Sequence, residues 1–126
     1  MIKTHNDIDS ELCGKPVVLE EGFSKVMLKT TDNMKVDETG LVHGGFIFGL
    51  ADYAAMISVN HPNIVLGAAD SKFLKPVKAG ETAFAEARVE SSDGKKSLVN
   101  VVVKVEDKDV FKGVFTCFVI DRHVLK

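Results

Sequence analysis

His43, Gly44 and Gly45, followed nine residues after the histidine by Asp52, are the residues whose types and spacing could do chemistry in this sequence. Two consecutive glycines at the start of a helix leave backbone amides bare at the positive end of the helix dipole, where they can hold an anion or a developing oxyanion. A carboxylate inside a protein is expensive, because burial resists its ionisation. Together these groups look like a site as well as part of a core, and none of them suggests a metal. Each also has a plain structural reading: Gly44-Gly45 as a tight turn, Asp52 as an acid hydrogen-bonded across a dimer interface, and His43 as an orienting group.

The element that must position them is Phe46–Val59 (FIFGLADYAAMISV), a predicted helix that is apolar nearly all the way round. A helix with no polar face belongs in the interior. Nine residues at 100° each place Asp52 about 180° around the axis from His43 and roughly 13 Å along it, so the two cannot serve one site from the same helix. Two antiparallel helices across a dimer would bring Gly44 of one copy to Asp52 of the other. Ala51, Ala54, Ala55 and Ser58 make a small-residue side that permits close approach by the sheet or a twin helix. Phe46, Ile47, Leu50 and Ile57 make a bulky side that should be core, and Tyr53 and Ser58 read as packing residues.

Around the helix the pattern is β. Val17–Thr31 is rich in β-formers, with Gly22 where a bulge or bend would fit. A loop holding Asp32, Asn33, Asp37 and Gly40 leads into the helix, and His61-Pro62-Asn63 ends it. Four strands follow at Ile64–Val77, Thr82–Ser91, Ser97–Asp107 and Val110–Arg122; Val99, Val101, Val103 and Val105 show the period-2 signature of one buried face. Short turns join the last three, which predicts an antiparallel meander. One apolar helix and about five strands bury each other only if the sheet curls around the helix. That leaves an edge strand and part of the helix uncovered, and a second copy would cover both. The prediction is an α+β fold, a curved antiparallel sheet wrapped on one long central helix and paired as a homodimer.

At 126 residues the chain is expected to be one domain, 1–126, with residues 1–16 as an N-terminal arm or short helix. A net charge of -2 and a pI near 6.1 provide no field for nucleic acid or an anionic membrane. The apolar run is interrupted by Asp52 short of the roughly 20 residues a membrane span needs. The first residues, MIKTHNDIDSELC, lack the apolar core of a secretion signal, and Cys13 and Cys117 form neither a disulfide framework nor a zinc spacing. The expected compartment is the cytoplasm.

The residues Asp37-x-x-Gly40-x-x-His43-Gly44-Gly45, Phe48-x-Leu50-Ala51-Asp52 and Phe73-Leu74-x-Pro76-Val77-x-x-Gly80 resemble the hotdog-fold thioesterases, within them the PaaI-like branch, from about Val17 to the end of the chain. The resemblance implies that the Gly44 amide polarises a thioester carbonyl while Asp52 acts as nucleophile or general base. His43 and Gly45 would support them. It also implies acyl-CoA as substrate or ligand with no other cofactor, and a homodimer or a dimer of dimers. The segment holding Lys72, Lys75 and Lys78 borders the nucleotide in such proteins, and lysines can pair with its phosphates, Lys75 being the first choice. Many relatives carry asparagine where this chain has Asp37. Aspartate there would hold His43 more tightly, favour imidazolium and set an anion near the reacting oxygen. Besides hydrolysis, the sequence allows a hotdog protein that binds acyl-CoA without cleaving it, a hydratase or dehydratase on the same fold, and a purely structural dimer.

Overall fold

A computed structural model describes residues 1–126. In chain order it comprises α1 (Ser10–Cys13), β1 (Lys15–Glu20), β2 (Phe23–Lys29), a 3-10 turn at Asp32–Met34, α2 (Gly44–Val59), β3 (Ile64–Phe73), β4 (Thr82–Asp93), β5 (Lys96–Val105) and β6 (Lys108–Val119). The strands form one antiparallel sheet in the order β1-β2-β4-β5-β6-β3. The predicted β4-β5-β6 meander is present. Where about five strands are predicted there are six, because the stretch Val17–Thr31 folds back on itself. Gly22, at φ 75°, closes a hairpin instead of bulging a single strand. β1 is then an edge strand, which accommodates Pro16 and its missing donor.

The sheet wraps α2 as the all-round apolar pattern requires. Leu50, Ala51, Ala54, Ala55 and Ile57 have no exposed surface, nor do Ala83, Ala85 and Ala87 of β4. Alanine facing alanine lets the helix lie close to β4, and Ser24 of β2 donates a 2.7 Å hydrogen bond to the Ala54 carbonyl. The small-residue side therefore faces the sheet. Tyr53 and Ser58 are buried packing residues, and the Ser58 hydroxyl bonds the Ala55 carbonyl. Asn60, left-handed at φ 57°, caps the helix end ahead of Pro62, and its side chain binds Met1 O and Lys3 N–H. The N-terminal arm is thus strapped across the C-terminal end of α2.

Two boundaries differ from the sequence reading in ways that matter. The helix begins at Gly44, two residues before Phe46, because His43 caps it. The strand predicted over Ile64–Val77 leaves the sheet after Phe73: Leu74 N–H turns to the Val110 carbonyl, and Val77 offers its carbonyl to Val42 N–H. β3 is the second edge of the sheet, with Ala68 and Ala69 exposed. No helix is long and apolar enough to cross a membrane.

The alanine seam generates a stability prediction. Ala85→Leu forces extra volume into a contact that has none to spare, and should destabilise the protein by about 1–3 kcal/mol in urea denaturation. An unchanged midpoint would mean that the helix does not lie close on β4.

Candidate active site

The entry to α2 is pinned from both sides before any side chain contributes. His43 N–H bonds Met34 O at 2.8 Å, Val42 N–H bonds Val77 O at 2.8 Å, and Ala79 N–H bonds Gly40 O at 2.7 Å. Gly40, at φ 88°, makes the turn that lets this ladder form. Thr30, itself buried, holds the far side of the ladder through the Lys78 and Glu81 carbonyls.

On that platform the two glycines have different tasks. Gly45 N–H donates to His43 Nδ1 at 2.7 Å, an N-cap made by the imidazole. A Cβ on Gly45 would lie 2.8 Å from that nitrogen, so only glycine lets the ring fold back. The cap uses the Gly45 amide. Of the two amides that the sequence leaves bare, Gly44 N–H alone stays unbonded in the first turn. Gly44 lines an apolar cleft of about 320 Å³ with Leu41, Val42, Ile47, Phe73, Leu74, Lys75, Pro76, Val77 and Val110.

Asp37 does not do what its position suggests. Its Oδ1 accepts from Thr39 N–H at 2.9 Å and Thr39 Oγ1–H at 2.6 Å, an Asx turn two residues long. These bonds, the hydroxyl's first, hold its carboxyl below the ordinary value. It forms neither a hydrogen bond nor an ion pair with His43, because its neighbour Thr39 satisfies it first. The expected Asp37–His43 contact is corrected accordingly.

Asp52 sits two turns further along α2, half-buried. Its Oδ1 is the one buried side-chain polar atom without a hydrogen-bond partner, and burial pushes its pKa up to about 6. Its charge reaches two thiols. Burial first and Asp52 second raise Cys117 on β6 to about 12, and Cys13 is raised by burial, Asp9 and Asp52. Sequence reasoning left both cysteines out of the site. Cys117 could have been found by period, since Phe111, Phe115 and Cys117 all fall on the inner face of β6. Gly44 and Asp52 point from one helix about 12 Å apart along its axis, and the chain does not bring them together.

The three lysines are exposed and do not gather. Lys75 lines the Gly44 cleft. Lys72 pairs in register with Lys112 and lines a separate hollow with Asp70 and Asn100, while Lys78 lies against Gly40. Phe73, which sequence reasoning quoted within a motif but gave no task, stands directly on Gly44.

A family model described as "Thioesterase superfamily" matches residues 39–112. A methylthioribose-1-phosphate isomerase of Aquifex aeolicus is 57% identical over 95% of this chain, and a transcription factor FapR of Thermoanaerobacter is 34% identical over 93%. The chain spans 26% of the first and 59% of the second. Among solved structures, a protein of Pyrococcus horikoshii is 50% identical, with 100% of this chain and 97% of that one covered and a TM-score of 0.99. A Streptococcus mutans protein bound to acetyl CoA is 25% identical over 94% and 97% of the two chains, TM-score 0.82. The PaaI protein of E. coli, 24% identical over 94% and 88%, shares the fold with a TM-score of 0.85.

The burial of Asp52 makes a pH-dependent stability prediction. A carboxyl raised in the folded state keeps its proton longer there than in the unfolded chain, so the penalty is absent below about pH 3.8 and complete above about pH 6. Asp52→Asn should therefore stabilise the protein at pH 7 by on the order of 2 kcal/mol, allowing for partial exposure, with the gain vanishing by about pH 4. Denaturation midpoints of both proteins across that range would show it; a gain independent of pH would remove ionisation of Asp52 as its cause.

Proposed function

This chain belongs to the thioesterase superfamily of hotdog-fold proteins, and from that premise we propose that it hydrolyses acyl-CoA thioesters at a site shared by two copies of itself. The observation that carries this reading is the pair of unsatisfied groups on one helix: a free Gly44 amide on an apolar cleft and an orphaned Asp52 carboxylate two turns away. The amide suits the carbonyl oxygen, on which negative charge builds during attack. A carboxylate with a pKa of about 6 is mostly ionised at neutral pH yet basic enough to take a proton from water. Water's oxygen bonds to the acyl carbon as Asp52 accepts its proton. The tetrahedral intermediate then expels the thiolate by breaking the C–S bond, and the proton passes to sulfur, leaving a carboxylic acid and free CoA.

A second copy supplies what one chain lacks. β3 is an open edge, and a Cβ on Gly49, one turn before Asp52, would meet nothing within 4 Å. Pairing β3 with its twin would extend the sheet and bring the twin helix to that open side, setting each Gly44 near the other copy's Asp52. His43 serves this arrangement by fixing the first turn of α2. Lys75, which lines the cleft, would meet a CoA phosphate in this reading, and the acetyl CoA in a structural neighbour supports that ligand class. The cytoplasm, where CoA esters are formed, is the setting this reading requires.

The second reading is binding without turnover, favoured by the likeness to a transcription factor over most of this chain. Free-thiol release from a panel of CoA esters decides between them. Hydrolysis with a kcat/KM that rises with pH through about 6 supports the enzyme. Intact acyl-CoA retained for hours with no thiol released would leave a sensor. For the enzyme, Asp52→Ala should lower kcat by about 10²–10⁴-fold.

The shared site has its own test. Gly44→Pro deletes the free N–H at a helix position that tolerates proline. If each site takes one group from each copy, mixing this variant with Asp52→Ala should restore roughly a quarter of wild-type activity, one intact site in half the dimers. No restoration after subunit exchange would place both groups in one chain's site.

A further inference from the structure

We infer that Phe73 is the specificity-determining residue that sets how bulky an acyl group can lie beside the Gly44 amide, an inference that rests on the thioesterase reading. Phe73 ends β3 and is 56% exposed. A single exposed phenylalanine needs no explanation by itself; its placement does. A Cβ built on Gly44 would come within 3.2 Å of Phe73 Cε1, so the ring rests on the residue whose amide is free. The ring is also edge-on to the fully buried Phe111, with centroids 5.1 Å apart.

Its backbone is fixed while its ring is not enclosed. The next two residues, Leu74 and Lys75, both direct their N–H groups at the Val110 carbonyl, at 2.8 and 3.3 Å. Behind Phe73 the aromatic packing continues through Phe111 to Phe115, and both lie against Phe48 of α2, at 6.4 and 5.4 Å between centroids. Phe73 is thus the outermost ring of a column that runs inward through Phe111 and Phe115 to Phe48 of α2. Truncating it opens the cleft into that column.

A carbonyl oxygen bound to Gly44 N–H holds its carbon within reach of this ring. Two chains leave that carbon. In the proposed function the thiol arm leads to phosphates at Lys75, which leaves the acyl chain the part of the cleft that Phe73 lines, beside Phe111. The thiol arm is the same in every CoA ester. Only the acyl chain can then feel the size of residue 73.

The test is a ratio read in both directions: kcat/KM for hexanoyl-CoA over acetyl-CoA in the wild type, Phe73→Ala, Phe73→Leu and Phe73→Trp. The ratio should rise roughly tenfold in Phe73→Ala, the scale on which an apolar pocket discriminates a methylene, rise less in Phe73→Leu and fall in Phe73→Trp. A change in stability alone would move both substrates together, and the leucine variant keeps an apolar contact on Phe111 should alanine fold poorly. Ratios equal to wild type in all folded variants, with wild type turning over both esters, overturn the inference and leave the thioesterase reading standing. If wild type binds the esters without cleaving them, the thioesterase reading falls and the ratio of dissociation constants from calorimetry must show the same order. Absence of both binding and turnover overturns both.

Discussion

A helix that is apolar on every side cannot sit on a surface, and the rest of this molecule is arranged around that constraint. The sheet has to curve far enough to cover α2, and it does so with small residues where the two must come closest: alanines of β4 against alanines of the helix. Close packing of this kind fixes the axial position of α2 as well as its burial. The sheet's twist and the one long helix together leave an edge at β3 and an open helix flank at Gly49, the two features on which the proposed pairing with a second copy rests.

Because α2 is fixed, its first turn can be a precise device. The loop before it is laced to the segment after β3 by backbone hydrogen bonds, and the His43 ring then folds back onto Gly45. A side-chain cap satisfies one of the first amides and leaves its neighbour without a partner. Two adjacent glycines look interchangeable in a string of letters. One is small so that a ring can cap the helix, the other so that the Phe73 ring can approach a free amide.

Asp52 carries the opposite burden. Its carboxylate is held in surroundings that resist its charge, with one oxygen unpaired and two thiols as neighbours that its charge makes still harder to ionise. A buried unpaired carboxyl oxygen is a cost that packing alone does not explain. That cost sits two turns from the free amide, so the acid and the amide are held apart on one rigid element.

The period of hydrophobic residues was enough to read a central helix, a β4-β5-β6 meander and a wrapped sheet, because burial in an α+β layer imposes those periods directly. The spacing of Gly44 and Asp52 likewise showed that one chain could not unite them, since helix rise is invariant. Three matters were beyond the letters. Gly22 turns the chain back into a hairpin, which depends on the sign of a backbone angle that glycine permits either way. Asp37 bonds Thr39 and not His43, since a local turn offers it partners at short range before any tertiary contact forms. Phe73 reaches Gly44 only because β3, pairing with β6 through a register shift between Leu66 and Ala68, ends beside the first turn of α2. Sequence determined which elements must be buried, since burial is written in periodicity. Tertiary structure decided which polar groups are left unsatisfied and which side chains stand beside them, since those depend on contacts between segments far apart in the chain.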